Sequence, residues 1–365
     1  MKIGILTQPL VNNYGGILQN FALQQVVKSL GYKVETLNQD LLKLPIFIRI
    51  LMAAKRLLCK YILRQDIRYI DAQTEIYVEF QKSNREIISF IKERISLVNI
   101  DFPIKKSFIR DNDIEAYIVG SDQVWRKEYT KWLYSYFLDF TRGKPVTRIA
   151  YAASFGVEKL DEKLYDIKKI SSLLSEFKAI SVREYSGVDI CSRQLNKKVE
   201  LVLDPTMLLS KSEYINLLQL RTIHQRYLAV YILDDTEEKQ NVVKKMGELY
   251  NLEIRYAGRY NANESPSIES WLETIMNAEY VVTDSFHGTV FSVIFEKEFI
   301  TLANGDRGIT RINSLFQMLG LPETRLMSSD QMPNEKLESI DYEHLNKRLL
   351  DLRYKSLNFL RRSLQ

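Results

Sequence analysis

Cysteine and histidine are scarce in this 365-residue chain, and that scarcity removes several classes of chemistry. The two cysteines, Cys59 and Cys191, lie far apart without C-x-x-C spacing, and the three histidines form no cluster with them. Neither a disulfide framework nor a metal site is expected, and both thiols read as reduced core residues. The G-x-G-x-x-G spacing of a dinucleotide site is missing, as is a phosphate-loop lysine, which argues against NAD binding or ATP hydrolysis by the usual loops. Repeats and low-complexity tracts are also missing. The opening strand Met1-Lys2-Ile3-Gly4-Ile5-Leu6 lacks the apolar core and small-residue cleavage site of a signal peptide, so a cytoplasmic location is expected.

With 45% hydrophobic and 27% charged residues, the composition is that of a large globular protein, and the length exceeds what one core usually supports. The net charge of +5 is concentrated in one place. Residues 41 to 70 hold seven basic groups against the single acid Asp66. Within 44–64, the spacing of Arg49, Arg56, Lys60 and Arg64 makes a cationic stripe on a broadly apolar helix too short to span a bilayer. Such a helix either packs on its own domain or rests peripherally on an anionic membrane. Nucleic-acid binding is not expected, because no binding module surrounds the patch.

Short β-rich runs alternate with helical patterns, the signature of parallel sheets. Strands are expected at 2–7, 33–37, 116–119, 148–153, 179–182 and 199–203, then at 227–233, 253–257, 280–283 and 299–303. Residues 41–110 read as a strandless helical insertion, and 204 to about 225 as a linker. The expected architecture is α/β: a Rossmann-like domain over 1–210, a second over 211–340 facing it across a cleft, and a C-terminal helix over 341–365.

Polar residues punctuate the strand ends, where parallel sheets bind ligands. Asn13-Tyr14-Gly15-Gly16 joins the first strand to its helix, and its glycines permit close backbone approach. Gly120-Ser121-Asp122-Gln123-Val124-Trp125 combines hydroxyl, carboxylate, amide and indole, a mixture that holds sugars; the plainer reading is a capping Asp with a core Trp. Arg183 either binds an anion two-pronged or pairs with Glu184. Arg307 and Arg311 follow the last strand, and Arg311 serves either an anion or its own domain surface. Thr283-Asp284-Ser285-Phe286-His287-Gly288 places a histidine between a strand end and a helix start, where unpaired backbone N–H groups favour anions. His224 and His344 read as solvated.

Six stretches in register resemble the polysaccharide pyruvyl transferase family: Asn13 to Gly16 with Leu18-Gln19, Gly120 to Trp125, Tyr151-Ala152-Ala153-Ser154-Phe155-Gly156, Ser181-Val182-Arg183-Glu184, Asp204-Pro205-Thr206, and Thr283 to Gly288. The resemblance implies a fold like that of the GT-B glycosyltransferases. It also implies transfer of a pyruvyl group from phosphoenolpyruvate, as co-substrate without a further cofactor, onto a sugar as a cyclic ketal. The acceptor it implies belongs to a bacterial surface polysaccharide or its lipid-linked precursor. Arg183 matches the family's donor-binding arginine and His287 its catalytic or phosphate-binding histidine, with Ser285 and Gly288 at the same helix start. Some branches carry an arginine where this chain has Ser285, which leaves one phosphate cation to Arg311 or Arg307. Asp122 or Asp284 would take the sugar hydroxyl's proton, and Asn13 to Gly16 with Ser121, Asp122, Gln123 and Trp125 would receive the acceptor. A nucleotide-sugar glycosyltransferase and a noncatalytic sugar-phosphate binding protein remain as alternatives.

Overall fold

The computed structural model describes the whole chain apart from residues 106, 259–264, 305–307, 329 and 332, and the side chains of 110 and 111. Among the described residues, twelve strands form two wholly parallel sheets. The first contains β1 (Lys2–Leu6), β2 (Lys33–Gln39), β3 (Leu97–Ile100), β4 (Ala116–Val119), β5 (Thr147–Ala153), β6 (Ala179–Val182) and β7 (Glu200–Leu201) in the order β3-β2-β1-β4-β5-β6-β7. The second contains β8 (Tyr227–Tyr231), β9 (Glu253–Tyr256), β10 (Tyr280–Thr283), β11 (Glu298–Leu302) and β12 (Leu326–Met327) in the order β12-β11-β10-β8-β9.

The central strands are apolar throughout because helices cover both sheet faces. β4, β8 and β10 are buried along their whole length, as unbroken runs such as Ala-Tyr-Ile-Val require. In each sheet the strand order reverses once, between β1 and β4 in the first and between β8 and β10 in the second. The helices after neighbouring strands diverge at such a point and leave a crevice at the carboxyl ends. The α/β architecture with two Rossmann-like units expected from the sequence is the one observed.

Three local readings need correction. The segment 41–110 contains a strand, β3, which pairs along β2 at the sheet edge. The stretch after Asp204 holds a helix, Lys211–Leu218, started by a capping box between Ser210 and Glu213. The basic stripe on the helix Ile46–Tyr61 is divided, because Arg49 pairs with Asp71 and Arg56 with Glu75 on the protein side.

The last helix, Tyr342–Leu364, starts on the second unit and finishes on the first. Near its start Tyr342 donates to the Lys297 carbonyl and Arg348 Nε to the Met318 carbonyl, at 2.5 Å for the latter. Further along, Arg353 Nε donates to the Met207 carbonyl at 2.8 Å, Ser356 Oγ accepts from the Leu203 amide at 3.0 Å, and Phe359 packs on Tyr151. No described helix is long and apolar enough to cross a membrane.

Candidate active site

The carboxyl ends of the two sheets face each other across a cleft of about 390 Å³. From the first unit, Gln8 and Asn13 come from the β1 end, and Asp122 and Gln123 from the β4 end. Tyr129 stands on the rim. From the second unit, Tyr231 ends β8 and Leu233 follows it, Asp284 to His287 follow β10, Asn304 follows β11, and Arg311 lies in the first turn of the helix Ile309–Leu319.

Two helix starts converge here. Asn13 Oδ1 accepts the Gly16 amide at 3.2 Å to cap the helix Tyr14–Ser29, and Ser285 Oγ accepts the Gly288 amide at 3.4 Å to cap the helix Phe286–Ile294. Both starts direct positive partial charge toward the same region.

His287 lies between them, 7% exposed, and its Nε2 has no hydrogen-bond partner among the described residues. Burial lowers its pKa to about 4; the charges of Asp204 and Asp122 oppose that shift, and those of Arg183 and Arg311 reinforce it. The imidazole is therefore neutral near pH 7 in the open cleft. An arriving anion shifts this balance, since negative charge beside an imidazole favours its protonated form.

Arg183 is not a surface arginine and does not pair with Glu184. It is 1% exposed, with Nη1 2.6 Å from Asp204 Oδ2 and Nη2 3.4 Å from Asp122 Oδ1. Asp204 is also bound by Thr206, whose amide and hydroxyl donate at 3.1 and 2.6 Å, and by Gln19. Burial pushes the Asp204 carboxyl up, but the charges of Arg183 and of His287 in its protonated form, with the side-chain hydrogen bonds from Thr206 and Arg183, outweigh it and leave its pKa below the ordinary value. Glu184 instead accepts Ser154 Oγ and the Phe155 and Gly156 amides at 2.8 to 2.9 Å. Arg183 thus lies beneath the cleft floor and orients Asp122, which lines it.

Among the described residues, the guanidinium that lines the cleft is that of Arg311. Burial, then repulsion from Arg183, lowers its pKa to about 10, which leaves it cationic at neutral pH and favours a nearby anion. The Phe286 ring lies against both arginines, its centroid 5.1 Å from the Arg183 guanidinium carbon and 5.4 Å from that of Arg311. Arg307 lies outside the described residues.

Several expected site residues sit behind the lining. Trp125 is fully buried, stacked on Phe137 at 5.0 Å, with its indole N–H donating to the Tyr136 carbonyl at 2.9 Å. It is a core residue and offers no face to a sugar. Tyr14 stacks on Trp271 at 5.4 Å and donates to the Pro266 carbonyl at 2.8 Å, so its ring joins the two units. Ser121 is buried against Arg183 and donates to the Ala152 carbonyl at 3.1 Å. Gly288 is required by packing: a Cβ there would come within 2.2 Å of Thr283 Oγ1. Gly16 serves as the amide that Asn13 caps. Asp284 lines the cleft, but its carboxylate already accepts Lys239 Nζ and the Leu233 amide, each at 2.7 Å, and Asn304 Nδ2 at 3.2 Å. Those partners make it a scaffold for the β8, β10 and β11 ends.

Gln8, Tyr129, Tyr231 and Asn304 were not marked out by the sequence. Gln8 Nε2 donates to the Gln123 carbonyl and to Thr130 Oγ1, both at 3.1 Å, tying the β1 and β4 loops together. Each is a single residue outside a recognisable motif, so only the strand-end position of Gln8 and Asn304 signalled them.

Comparison with solved structures finds weak overall likeness. The UDP-N-acetylglucosamine 2-epimerase of Methanocaldococcus jannaschii superimposes with a TM-score of 0.49 at 11% identity, covering 96% of this chain and 92% of that one. Acinetobacter baumannii MurG gives 0.46 at 8% identity over 99% and 94%. Arabidopsis thaliana UGT89C1, solved with UDP-L-rhamnose, gives 0.48 at 11% over 98% of each. A comparison with curated protein sequences finds no significant match. The profile of the polysaccharide pyruvyl transferases matches residues 13–306, which take in strands of both sheets and Asn13, Asp122 and His287 of the cleft but not Gln8 or Arg311, and the chain belongs to that family.

Proposed function

We propose that this transferase moves the pyruvyl group of phosphoenolpyruvate onto two hydroxyls of one sugar unit, as a cyclic ketal, and releases phosphate. The observation that carries the reading is the unpartnered His287 Nε2, set between two helix starts beside Arg311. Phosphoenolpyruvate brings a phosphate and a carboxylate, which Arg311 and the two helix starts would offset. Those charges raise the His287 pKa on binding, so the histidine gains a proton when the donor arrives.

Proton transfer from His287 to C3 then makes C2 electrophilic. A sugar hydroxyl adds to C2 as Asp122 takes its proton, and a second hydroxyl then attacks C2, its proton passing to the departing phosphate as the C–O bond to phosphate breaks and the ring closes. No redox step occurs, and the reaction calls for neither a redox cofactor nor a metal. We place the donor against the second unit, at Ser285, His287 and Arg311. The acceptor lies against the first, at Asn13, Gly15, Asp122, Gln123 and Tyr129. The acceptor class is a bacterial surface polysaccharide or its lipid-linked precursor, processed on the cytoplasmic side where phosphoenolpyruvate is made.

Incubation of the purified protein with phosphoenolpyruvate and a panel of free and lipid-linked oligosaccharides tests the reading. Phosphate release coupled to a pyruvate ketal on the sugar supports it. Turnover of a nucleoside diphosphate sugar in place of phosphoenolpyruvate, or ligand binding with no phosphate released, overturns it.

A further inference from the structure

The helix Ile46–Tyr61 has no buried residue although most of its side chains are apolar. At about 100° per residue, Phe47, Ile50, Leu51, Leu57, Leu58 and Tyr61 share one face, and they are 43 to 73% exposed. On the opposite face, Arg49 Nη2 reaches Asp71 at 2.6 Å, and Arg56 pairs with Glu75 and donates to the Tyr69 carbonyl at 2.9 Å. The helix is therefore held to the protein by its back and presents its apolar side outward. The same angular spacing puts Lys55 on one border of that apolar side and Lys60 on the other, and exposed Arg64 follows the helix end.

We infer that this helix docks on an anionic lipid bilayer, with the apolar face among the upper acyl chains and Lys55, Lys60 and Arg64 at the headgroup phosphates. Charge selects this occupant. Of the seven basic groups in 41–70, Lys43, Arg49 and Arg56 pair with Asp101, Asp71 and Glu75, whereas Lys55, Lys60 and Arg64 flank the apolar strip, and cations on both of its borders match a surface that is anionic on every side. A second copy docked through the same face would set the two lysine-bordered strips against each other, like charge to like. At roughly 1.5 Å per residue the helix is about 24 Å long, which suits a position in the plane of the surface.

The fold also orients the cleft. The segment leaves the first sheet at the carboxyl end of β2, the neighbour of β1, whose own carboxyl end contributes Gln8 and Asn13 to the cleft. A bilayer under this helix lies on the same end of the sheet as the cleft. The inference rests on the helix alone and stands or falls independently of the donor.

Vesicle flotation of the full chain tests it, using phosphatidylcholine with and without phosphatidylglycerol. The protein should float with the anionic vesicles, remain behind with the neutral ones, and detach as salt rises. Phe47→Ser with Leu51→Ser and Leu58→Ser should abolish flotation. Lys55→Gln with Lys60→Gln and Arg64→Gln should weaken partitioning by about fivefold per cation, on the order of a hundredfold together, and flatten the salt dependence. All six side chains lie outside the packed core, so unchanged thermal melting serves as the folding control. Failure of the wild type to float at low salt, or wild-type flotation by the serine variant, overturns the inference. A concentration-dependent dimer that the serine variant dissolves, with no lipid binding, also overturns it and gives the face to a second copy.

Discussion

A β-carbon at position 15 would lie 1.9 Å from Nδ1 of His287, so the histidine ring of one unit rests directly on the glycine of the other. Gly15 belongs to the first turn of the helix Tyr14–Ser29 and has no need of an unusual backbone angle. Its small size makes room for the imidazole between the two helix starts. Gly15→Ala should displace His287 without unfolding the chain, reducing phosphate release by at least the roughly hundredfold typical of losing a general acid. Activity assay alongside thermal melting separates the effects: near-normal melting with lost turnover is expected.

His287 should also mark the stability of the protein with pH. Its folded pKa of about 4 lies below the ordinary 6.5. Above pH 6.5 neither folded nor unfolded state binds the proton. Between 6.5 and 4 the unfolded chain takes it up and the folded one does not, so stability falls with falling pH, by on the order of 3 kcal/mol from this residue. Urea unfolding across that range should show the slope, and His287→Asn should reduce it. In NMR titrations the His287 imidazole should shift toward its protonated form when phosphate is added at constant pH.

Arg311 and Arg183 should separate binding from folding. Arg311→Gln removes a cation that faces the cleft and should weaken binding of inorganic phosphate by about 2 kcal/mol, roughly thirtyfold. Arg183→Met leaves Asp204 and Asp122 without their buried partner and should destabilise the fold by about 3 to 5 kcal/mol. Isothermal titration for the first and denaturant unfolding for the second give the two readouts.

Tyr129 and Trp125 divide in the same way. Tyr129→Ala removes a half-exposed ring at the rim and should raise the acceptor KM while leaving phosphate affinity unchanged. Trp125→Ala empties a core site and should cost about 3 to 5 kcal/mol of stability.

These pairs show how far the sequence could be read. An apolar run ending in a polar cluster locates a strand end, which is why Asn13, Asp122 and His287 fall where the pattern puts them. Period and composition carry no information on which way a side chain turns at that end. Trp125 turns down into aromatic packing, Asp284 turns back to Lys239, and Tyr129 reaches the rim from outside any motif. β3 and β12 were missed for a related reason: a four-residue edge strand with half-exposed side chains and a two-residue strand show no periodicity of their own. The burial of Arg183 was hidden too, since its partners are 61 and 21 residues away along the chain.

The helix Tyr342–Leu364 has a thermodynamic corollary. Its first turns are bonded to Lys297 and Met318, its later turns to Met207 and Leu203, and one apolar cluster runs from Ile3 through Trp271 to Phe359. Neither sheet can lose its packing without releasing the same segment. Two architectural units should therefore melt as one cooperative system, giving a single calorimetric transition whose van't Hoff and measured enthalpies agree.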